Sequence, residues 1–378
     1  MVIRLIILLI QKVLLIYLGR RGGGSLYTLF TAKALYEHGN YVDVFCSKEN
    51  DNLVDFLKEK FRCQSFIVAH TVKQIITRFT YFPILLFKVI LWRISNPKGV
   101  VHFTMFHLWN LPLMILLRIC GCRVIFTVHD FEPHIGDGGR LMKMAIKSQV
   151  FVSSGLVTLN ATVKQQVLGA SVSRSSQLIT CLALPPFVSA TTASKPLEPD
   201  LKKPMILFIG RISQYKGIDL FLEAAKRLLK KNQEVRIGLS GSGDLSPFLD
   251  KLSSLESNIC IKNHWLSDNE VLDEIKAATL CVLPYIDSTQ SGILPTSLAL
   301  GIPVVITPSP GLVAQLPEGC GIVAEGFTGA HICSAIMEAL SEKDIYCEMS
   351  QRGIEVFGTG MWVKQAETLD LFYRQKSG

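Results

Sequence analysis

Two cations five residues apart, Arg211 and Lys216, stand in the stretch ILFIGRISQYKG, residues 206–217. An arginine can fork onto two phosphate oxygens, and a lysine supplies a compact point charge. The pair flanks a glycine-centred turn between an apolar run, residues 206–209, and the helical pattern IDLFLEAAKRLLKK. A parallel strand that turns tightly into a helix gathers backbone N–H groups and a helix N-terminus at the strand's carboxyl end, where anions bind in open α/β sheets. The stretch reads as a site for a diphosphate-sized anion, or as an ordinary βα loop with solvated cations. His129 and Asp130 come at the end of another apolar run, RVIFTVHD, and the polar loop FEPHIGDGGR after it adds Glu132 and His134. That loop closes on a substrate or is simply solvated, and His129 acts in chemistry or packs at a strand end. Asp244, after a Gly-Ser-Gly turn, is a helix cap or a ligand contact, and Trp265 stacks on a base or packs under the sheet rim.

Positioning such groups takes a large framework. The chain has 378 residues, enough for two or three domains, and 49% of them are apolar, with a mean hydropathy of +0.34. The net charge of +8 is uneven: residues 1–190 carry 21 Lys or Arg against 9 Asp or Glu, and the remainder 18 against 22. A basic, apolar first half points to an anionic membrane surface, and the absence of a nucleic-acid-binding motif ranks nucleic acid below it. Ten scattered cysteines, with Cys120 and Cys122 as the one close pair, suit reduced cytoplasmic thiols rather than zinc or a disulfide scaffold.

Residues 1–18 open the chain with two apolar runs broken by Gln11 and Lys12. Neither run reaches the length of a spanning helix, and no small-residue cleavage site follows. The preferred reading is a buried first strand over residues 12–18, with a membrane anchor as the alternative. Gly22, Gly23 and Gly24 come next; Gly23 and Gly24 permit close backbone approach, and Ser25 is placed to cap the following helix. The pattern is not G-x-G-x-x-G, so nothing there points to a dinucleotide. Strand and helix then alternate: YVDVFCS, DNLVDFLKEKF, the strand FIVAH, the strand GVVHFT, the helix LPLMILLRICG and the strand RVIFTVHD. Residues 71–95 crowd apolar and aromatic side chains with Arg78, Lys88 and Arg93 among them. They read as a helix packed on the sheet or one lying in a membrane interface. Residues 184–204 are rich in Pro, Ser, Thr and Ala without periodicity, which marks a linker. The second half alternates again, giving a doubly wound α/β domain with a parallel sheet over residues 205–358 after a first domain over 1–183. Residues 359–378 read as a last amphipathic helix marked by Trp362, Leu369 and Tyr373.

On those stretches the chain resembles the GT-B fold glycosyltransferases, and within them the retaining family 4, also called group 1. GRISQYKG is similar to that family's Gly-Arg…Lys-Gly signature, LPYIDSTQSGILPTSLALGIPVVIT to its donor-site turn, helix and strand, and RVIFTVHD to its first-domain strand ending in His-Asp. The first unit, RGGGS through HGNYVDVF, and the tail with Trp362 resemble corresponding parts, the tail being the helix that crosses back onto the first domain.

The resemblance implies two Rossmann-like domains facing across a cleft. It implies that Arg211 and Lys216 hold the donor diphosphate, that Gly23 and Gly24 let the backbone approach the same phosphates, and that His129 sits beside the donor sugar. It also implies that the backbone N–H groups of Ser291, Gly292 and Ile293 face phosphate at a helix N-terminus. Two glutamates eight positions apart are common in the family; here Ser288 and Thr296 take their places. Gln290 is then the nearest amide for a sugar hydroxyl, and Thr296 a weaker partner for a ribose hydroxyl than a carboxylate. The implied reaction is transfer of a sugar from a nucleotide diphosphate sugar with retention, driven by electrostatic stabilisation of the departing diphosphate and domain closure, with no metal and no cofactor. The basic first half suggests a lipid-linked acceptor at the cytoplasmic membrane face, in bacterial surface polysaccharide assembly. A nucleotide-sugar epimerase or hydrolase on the same plan, and a catalytically silent scaffold, are the competing readings.

Overall fold

The structure is a computed structural model that describes residues 10–132, 139–170, 172–174, 177–188, 199–255, 258–358 and 360–375. It divides into two units. One takes the described residues up to 183 together with 362–375; the other takes those between 184 and 361.

In the first unit, β1, Lys12–Tyr17, buries every residue from Val13 onward. A strand apolar on both faces belongs in the middle of a covered parallel sheet. It lies between β2, Tyr41–Ser47, and β4, Val100–Phe103. With β3 (Arg62–Phe66), β5 (Arg123–Val128), β6 (Gly155–Thr158) and β7 (Leu178–Cys181) it forms a seven-stranded sheet ordered β3-β2-β1-β4-β5-β6-β7, parallel throughout. The strand order reverses between β1 and β4, which makes that junction the unit's topological switch point.

The second unit repeats the plan with six parallel strands: β8 (Met205–Ile209), β9 (Arg236–Gly241), β10 (Ile259–Asn263), β11 (Leu280–Leu283), β12 (Val304–Ile306) and β13 (Gly321–Val323). Their order is β10-β9-β8-β11-β12-β13, so the switch point lies between β8 and β11. The helix Ile218–Lys231 packs Ile218, Phe221, Leu222, Ala225 and Leu228 into the core, as its periodicity requires. Asp219 in its first turn and Lys230 and Lys231 in its last complement the helix dipole.

The terminal helix, Met361–Arg374, packs through its part in the first unit. Trp362 stacks on Phe30 with centroids 5.3 Å apart, Arg123 donates to the carbonyls of Phe372 and Tyr373, and the Tyr373 hydroxyl lies 2.7 Å from His102 Nδ1.

Several local expectations are corrected. Ser25 does not cap its helix: Gly22, at φ 81°, is the cap residue, and the Ser25 hydroxyl is buried, donating to Asn50 Oδ1 at 2.6 Å. The third strand is Arg62–Phe66 rather than FIVAH, with Ser47 pairing opposite Phe66. The segment 71–95 is not one helix. It runs as Val72–Thr77, a 3-10 turn Phe79–Tyr81 and the helix Phe82–Ser95. Pro83, in the first turn of that helix, has no N–H to carry an unbroken ladder, and Arg78 is drawn to Glu49 and the Val68 carbonyl. β7, β13 and the helices Gly329–Ala339 and Lys343–Phe357 add to the elements read from sequence. No helix among the described residues is long and apolar enough to cross a membrane; residues 1–9, which the anchor alternative needs, lie outside them.

Candidate active site

Arg211 and Lys216 sit in the turn after β8, and Tyr285 follows β11, so the group stands at the carboxyl ends of the two strands that bound the switch point. The turn is locked from two sides. The N–H of Ile286 donates to the Tyr215 carbonyl at 2.8 Å, and the N–H of Ile212 donates to Ser242 at 2.9 Å. Gly217 adopts φ 69°, and a Cβ there would lie 1.8 Å from the Pro284 carbonyl oxygen. This residue therefore has to be glycine for the turn to approach the loop after β11. Gly217→Ala should lower stability by roughly 2 kcal/mol or more. Denaturant unfolding would measure it, and an unchanged midpoint would refute this account of the turn.

Both cations are seated on tyrosines. The Arg211 guanidinium lies over Tyr215, 5.2 Å from the ring centroid, and donates to its hydroxyl at 2.8 Å. The Lys216 ammonium lies 3.6 Å from the Tyr285 ring centroid and 5.2 Å from that of Tyr215. A cation on an aromatic face is held in direction by the ring quadrupole. Tyr285 is fully buried, and burial raises its pKa, so its ring supports Lys216 as a neutral phenol. Arg211 is exposed and Lys216 half-buried. The arrangement presents two positive charges in a fixed geometry at the end of a parallel sheet. Tyr215 and Tyr285 escaped the sequence reading; each lies inside a stretch already singled out, but their stacking on the cations is a tertiary contact.

The rest of the predicted donor site is partly committed elsewhere. The helix here is Ile293–Ala299, with Gly292 as its cap residue. The Ser291 N–H, however, donates to Gln315 Oε1 at 2.8 Å, and Gln315 Nε2 donates back to the Ser291 carbonyl. That N–H does not face a phosphate. The Thr296 hydroxyl, expected at a ribose, is buried and accepts from the N–H of Phe187 at 3.1 Å. It holds the end of the inter-domain segment. The Ser288 hydroxyl pairs with that of Ser309 at 2.8 Å. Gln290 is half-buried in the turn before this helix, and a Cβ on Gly292 would meet the Phe187 ring at 2.7 Å.

In the first unit, Gly23 and Gly24 begin the helix Gly23–Glu37 beside the β1/β4 switch point. A Cβ at Gly24 would come within 2.9 Å of Met105 Sδ, so glycine there serves close helix-to-strand packing. The Gly24 carbonyl accepts from Thr28, whose hydroxyl meets that of Thr104 at 2.7 Å, and the Thr104 carbonyl accepts from His129 Nε2 at 2.9 Å. This chain ties the glycine turn to His129. The bond fixes the proton on Nε2, and burial lowers the His129 pKa, so the imidazole is neutral. Tyr27 packs edge-on against its ring at 5.1 Å.

Asp130 is half-buried just past β5, and Glu132 forms an ion pair with Lys143 at 2.5 Å; His134 lies outside the described residues. Asp244 accepts from the Ser246 N–H at 2.9 Å and from its hydroxyl, just ahead of the turn Ser246–Phe248, whose cap residue is Leu245. Trp265 is 43% exposed rather than packed under the sheet. Among the described residues no group of three or more His, Cys, Asp or Glu could hold a metal ion.

Residues 203–342 match the family described as glycosyl transferases group 1. The chain is 27% identical over 222 residues to a D-inositol 3-phosphate glycosyltransferase of Thermobifida fusca, spanning 54% of this chain and 51% of that protein. It thus covers about half the length of this curated relative. Among solved structures, Anabaena HepE, determined with UDP and glucose, superposes with a TM-score of 0.74 at 12% identity over 96% of this chain and 100% of the other. WaaG, a glycosyltransferase involved in lipopolysaccharide biosynthesis, superposes with a TM-score of 0.67 at 16% identity over 97% and 100%. The matched stretch contains the Arg211–Lys216 turn and the β8/β11 switch point, and both units of the chain are covered by the shared fold. On those grounds residues 203–342 match the group 1 glycosyltransferases, and the chain has the GT-B fold.

Proposed function

We propose that the protein transfers a sugar, with retention of anomeric configuration, from a nucleotide diphosphate sugar to a lipid-linked saccharide acceptor during assembly of a surface polysaccharide. The observation that carries this reading is the pair Arg211 and Lys216, held on Tyr215 and Tyr285 at the second unit's switch point. As the bond from the anomeric carbon to the phosphate oxygen breaks, negative charge grows on the diphosphate. Two preorganised cations stabilise it without reorganisation at that moment. The proposal assigns this neutralisation to the side chains rather than to a metal. His129, neutral and anchored to Thr104, is assigned to the donor sugar as a hydrogen-bonding group rather than a charge.

Support for the donor class comes from the relatives. HepE was solved with UDP and with UDP-glucose, and the Thermobifida relative is named for a phosphorylated acceptor. WaaG is described as acting in lipopolysaccharide biosynthesis, which supports an acceptor on the cytoplasmic face of the inner membrane, with this chain bound peripherally. A panel of UDP-, GDP- and ADP-sugars in a thermal-shift assay tests the reading. Ligand at about a hundred times its Kd adds roughly 2.7 kcal/mol, which for a domain of this size raises the Tm by about 5–10 °C. One nucleotide class should do so. No shift with any of them would overturn the proposal, and turnover of the donor without an acceptor would favour the epimerase or hydrolase reading.

A further inference from the structure

We propose that the helix layer of the first unit docks on an anionic lipid bilayer through the exposed apolar side chains of its helices and the exposed lysines Lys73, Lys88 and Lys98. The inference deepens the reading above, since it names the surface through which the chain would meet a membrane-borne acceptor. The helices Phe82–Ser95, Asn110–Ile119 and Arg140–Val152 are consecutive neighbours, and all pack inward on one core cluster over one side of the sheet. The first of them buries Leu85, Val89 and Trp92. Its opposite side is apolar as well: Ile84, Phe87, Leu91 and Ile94, spaced three, four and three residues apart, are 53%, 58%, 40% and 69% exposed. The neighbouring helices also carry exposed apolar side chains, Ile115 and Ile119 on one and Leu141 and Met144 on the other, while the exposed Phe151 lies under the Arg174 guanidinium. A water-soluble helix normally turns charges outward here; a single helix with apolar residues on both sides needs a second apolar environment.

Charge selects what that environment is. Residues 71–129 contain seven Lys or Arg and no Asp or Glu. Arg78 and Arg93 are spoken for: Arg78 binds Glu49 and the Val68 carbonyl, and Arg93 donates to carbonyls at the ends of its own helix and of the next. Lys73, Lys88 and Lys98 are exposed and make no ion pair among the described residues. Lys88 lies beside the Ile84–Leu91 row on the helix surface, within reach of headgroup phosphates once that row enters the acyl boundary. A protein partner for so large an acid-free patch would have to supply carboxylates in register. A bilayer of anionic lipid supplies negative charge everywhere and asks for no register. The helix Phe82–Ser95, at 14 residues, is too short to span and long enough to lie in the interface.

Flotation of the full chain with phosphatidylcholine vesicles, with and without phosphatidylglycerol, tests this. The chain should float with the anionic vesicles and lose most of that binding when salt is raised. Phe87→Ser with Leu91→Ser should weaken binding at least about tenfold by removing buried apolar area. Lys73→Gln with Lys88→Gln should weaken it by about fivefold per lysine. The pair Arg78→Gln and Arg93→Gln should change stability more than lipid binding. Thermal midpoints and the nucleotide-sugar shift, which reports the second unit, establish that each variant is folded. Failure to float, with the nucleotide-sugar shift intact, would overturn the docking surface while leaving sugar transfer standing. Equal binding to neutral vesicles, or a dimer in solution that Phe87→Ser with Leu91→Ser dissociates, would overturn it as well.

Discussion

Lys216→Ala is expected to lower the rate of sugar transfer about 100- to 1000-fold while leaving the fold intact. The magnitude is that of removing one preorganised donor from a developing oxyanion in a partly desolvated site. Lys216 is half-buried, and its ammonium lies 3.6 Å from the Tyr285 ring centroid, so its position is set before substrate arrives. Losing that contact itself costs stability only about 0.5–1 kcal/mol. A large kinetic loss with a small stability loss separates a catalytic role from a structural one. Arg211→Ala should cost less, about tenfold to a hundredfold, because an exposed guanidinium works in a higher dielectric. The double variant should fall short of the product of the two, since in the proposed reaction both act on one diphosphate. Initial rates on the donor identified by the thermal-shift panel, alongside denaturant midpoints, decide it. A Lys216→Ala protein that is folded and transfers sugar at the normal rate would sink the assignment.

The second large effect is selective acid unfolding of the first unit. Burial lowers the pKa of His102 to about 3 and of His107 to about 4, and lowers that of His129 as well. His102 is wedged between the Tyr373 and Thr127 hydroxyls at 2.7 Å each, and His107 binds the Ala69 carbonyl at 2.9 Å. These folded-state values lie below the unfolded value of about 6.5. Their contribution is therefore complete above about pH 6.5, and it is lost as pH falls toward the folded values, because the unfolded chain takes up the protons first. At about pH 4 the loss is on the order of 3 kcal/mol for each of His102 and His107, a large share of a stability of roughly 5–15 kcal/mol. In the second unit neither described histidine, His264 or His331, is buried. Three of the four tryptophans, Trp92, Trp109 and Trp362, belong to the first unit. Tryptophan fluorescence should thus show a transition between about pH 6 and 4, and His102→Gln should flatten its pH dependence even while lowering stability at neutral pH. A fluorescence signal and a denaturant midpoint that stay level from pH 7 to 4 would contradict the account.

The two units use their glycines differently at equivalent places. At the β8/β11 junction, Gly217 lets the cationic turn close against Pro284. At the β1/β4 junction, Gly24 lets a helix start against Met105, and a hydrogen-bonded chain runs on to His129. One turn positions charge, and the other positions a neutral ring.

The amino-acid sequence alone determined the alternation of strand and helix, the break in composition and charge near residue 190, and the pair Arg211 and Lys216 on a strand-to-helix turn. These are local: periodicity and turn chemistry act within a dozen residues, which is why Ile218–Lys231, Asp268–Ala277 and Ala161–Gly169 lie where their patterns place them. Only the tertiary structure decided which polar groups are spent. The Ser291 N–H goes to Gln315, 24 positions on, and the Thr296 hydroxyl to Phe187, 109 positions back. Arg78 and Arg93 go to Glu49 and to backbone carbonyls rather than to a membrane. Such pairings join segments far apart in the chain and leave no periodic trace. A buried donor or acceptor takes whichever partner folding brings within about 3 Å, since leaving it unpaired costs on the order of 1–3 kcal/mol.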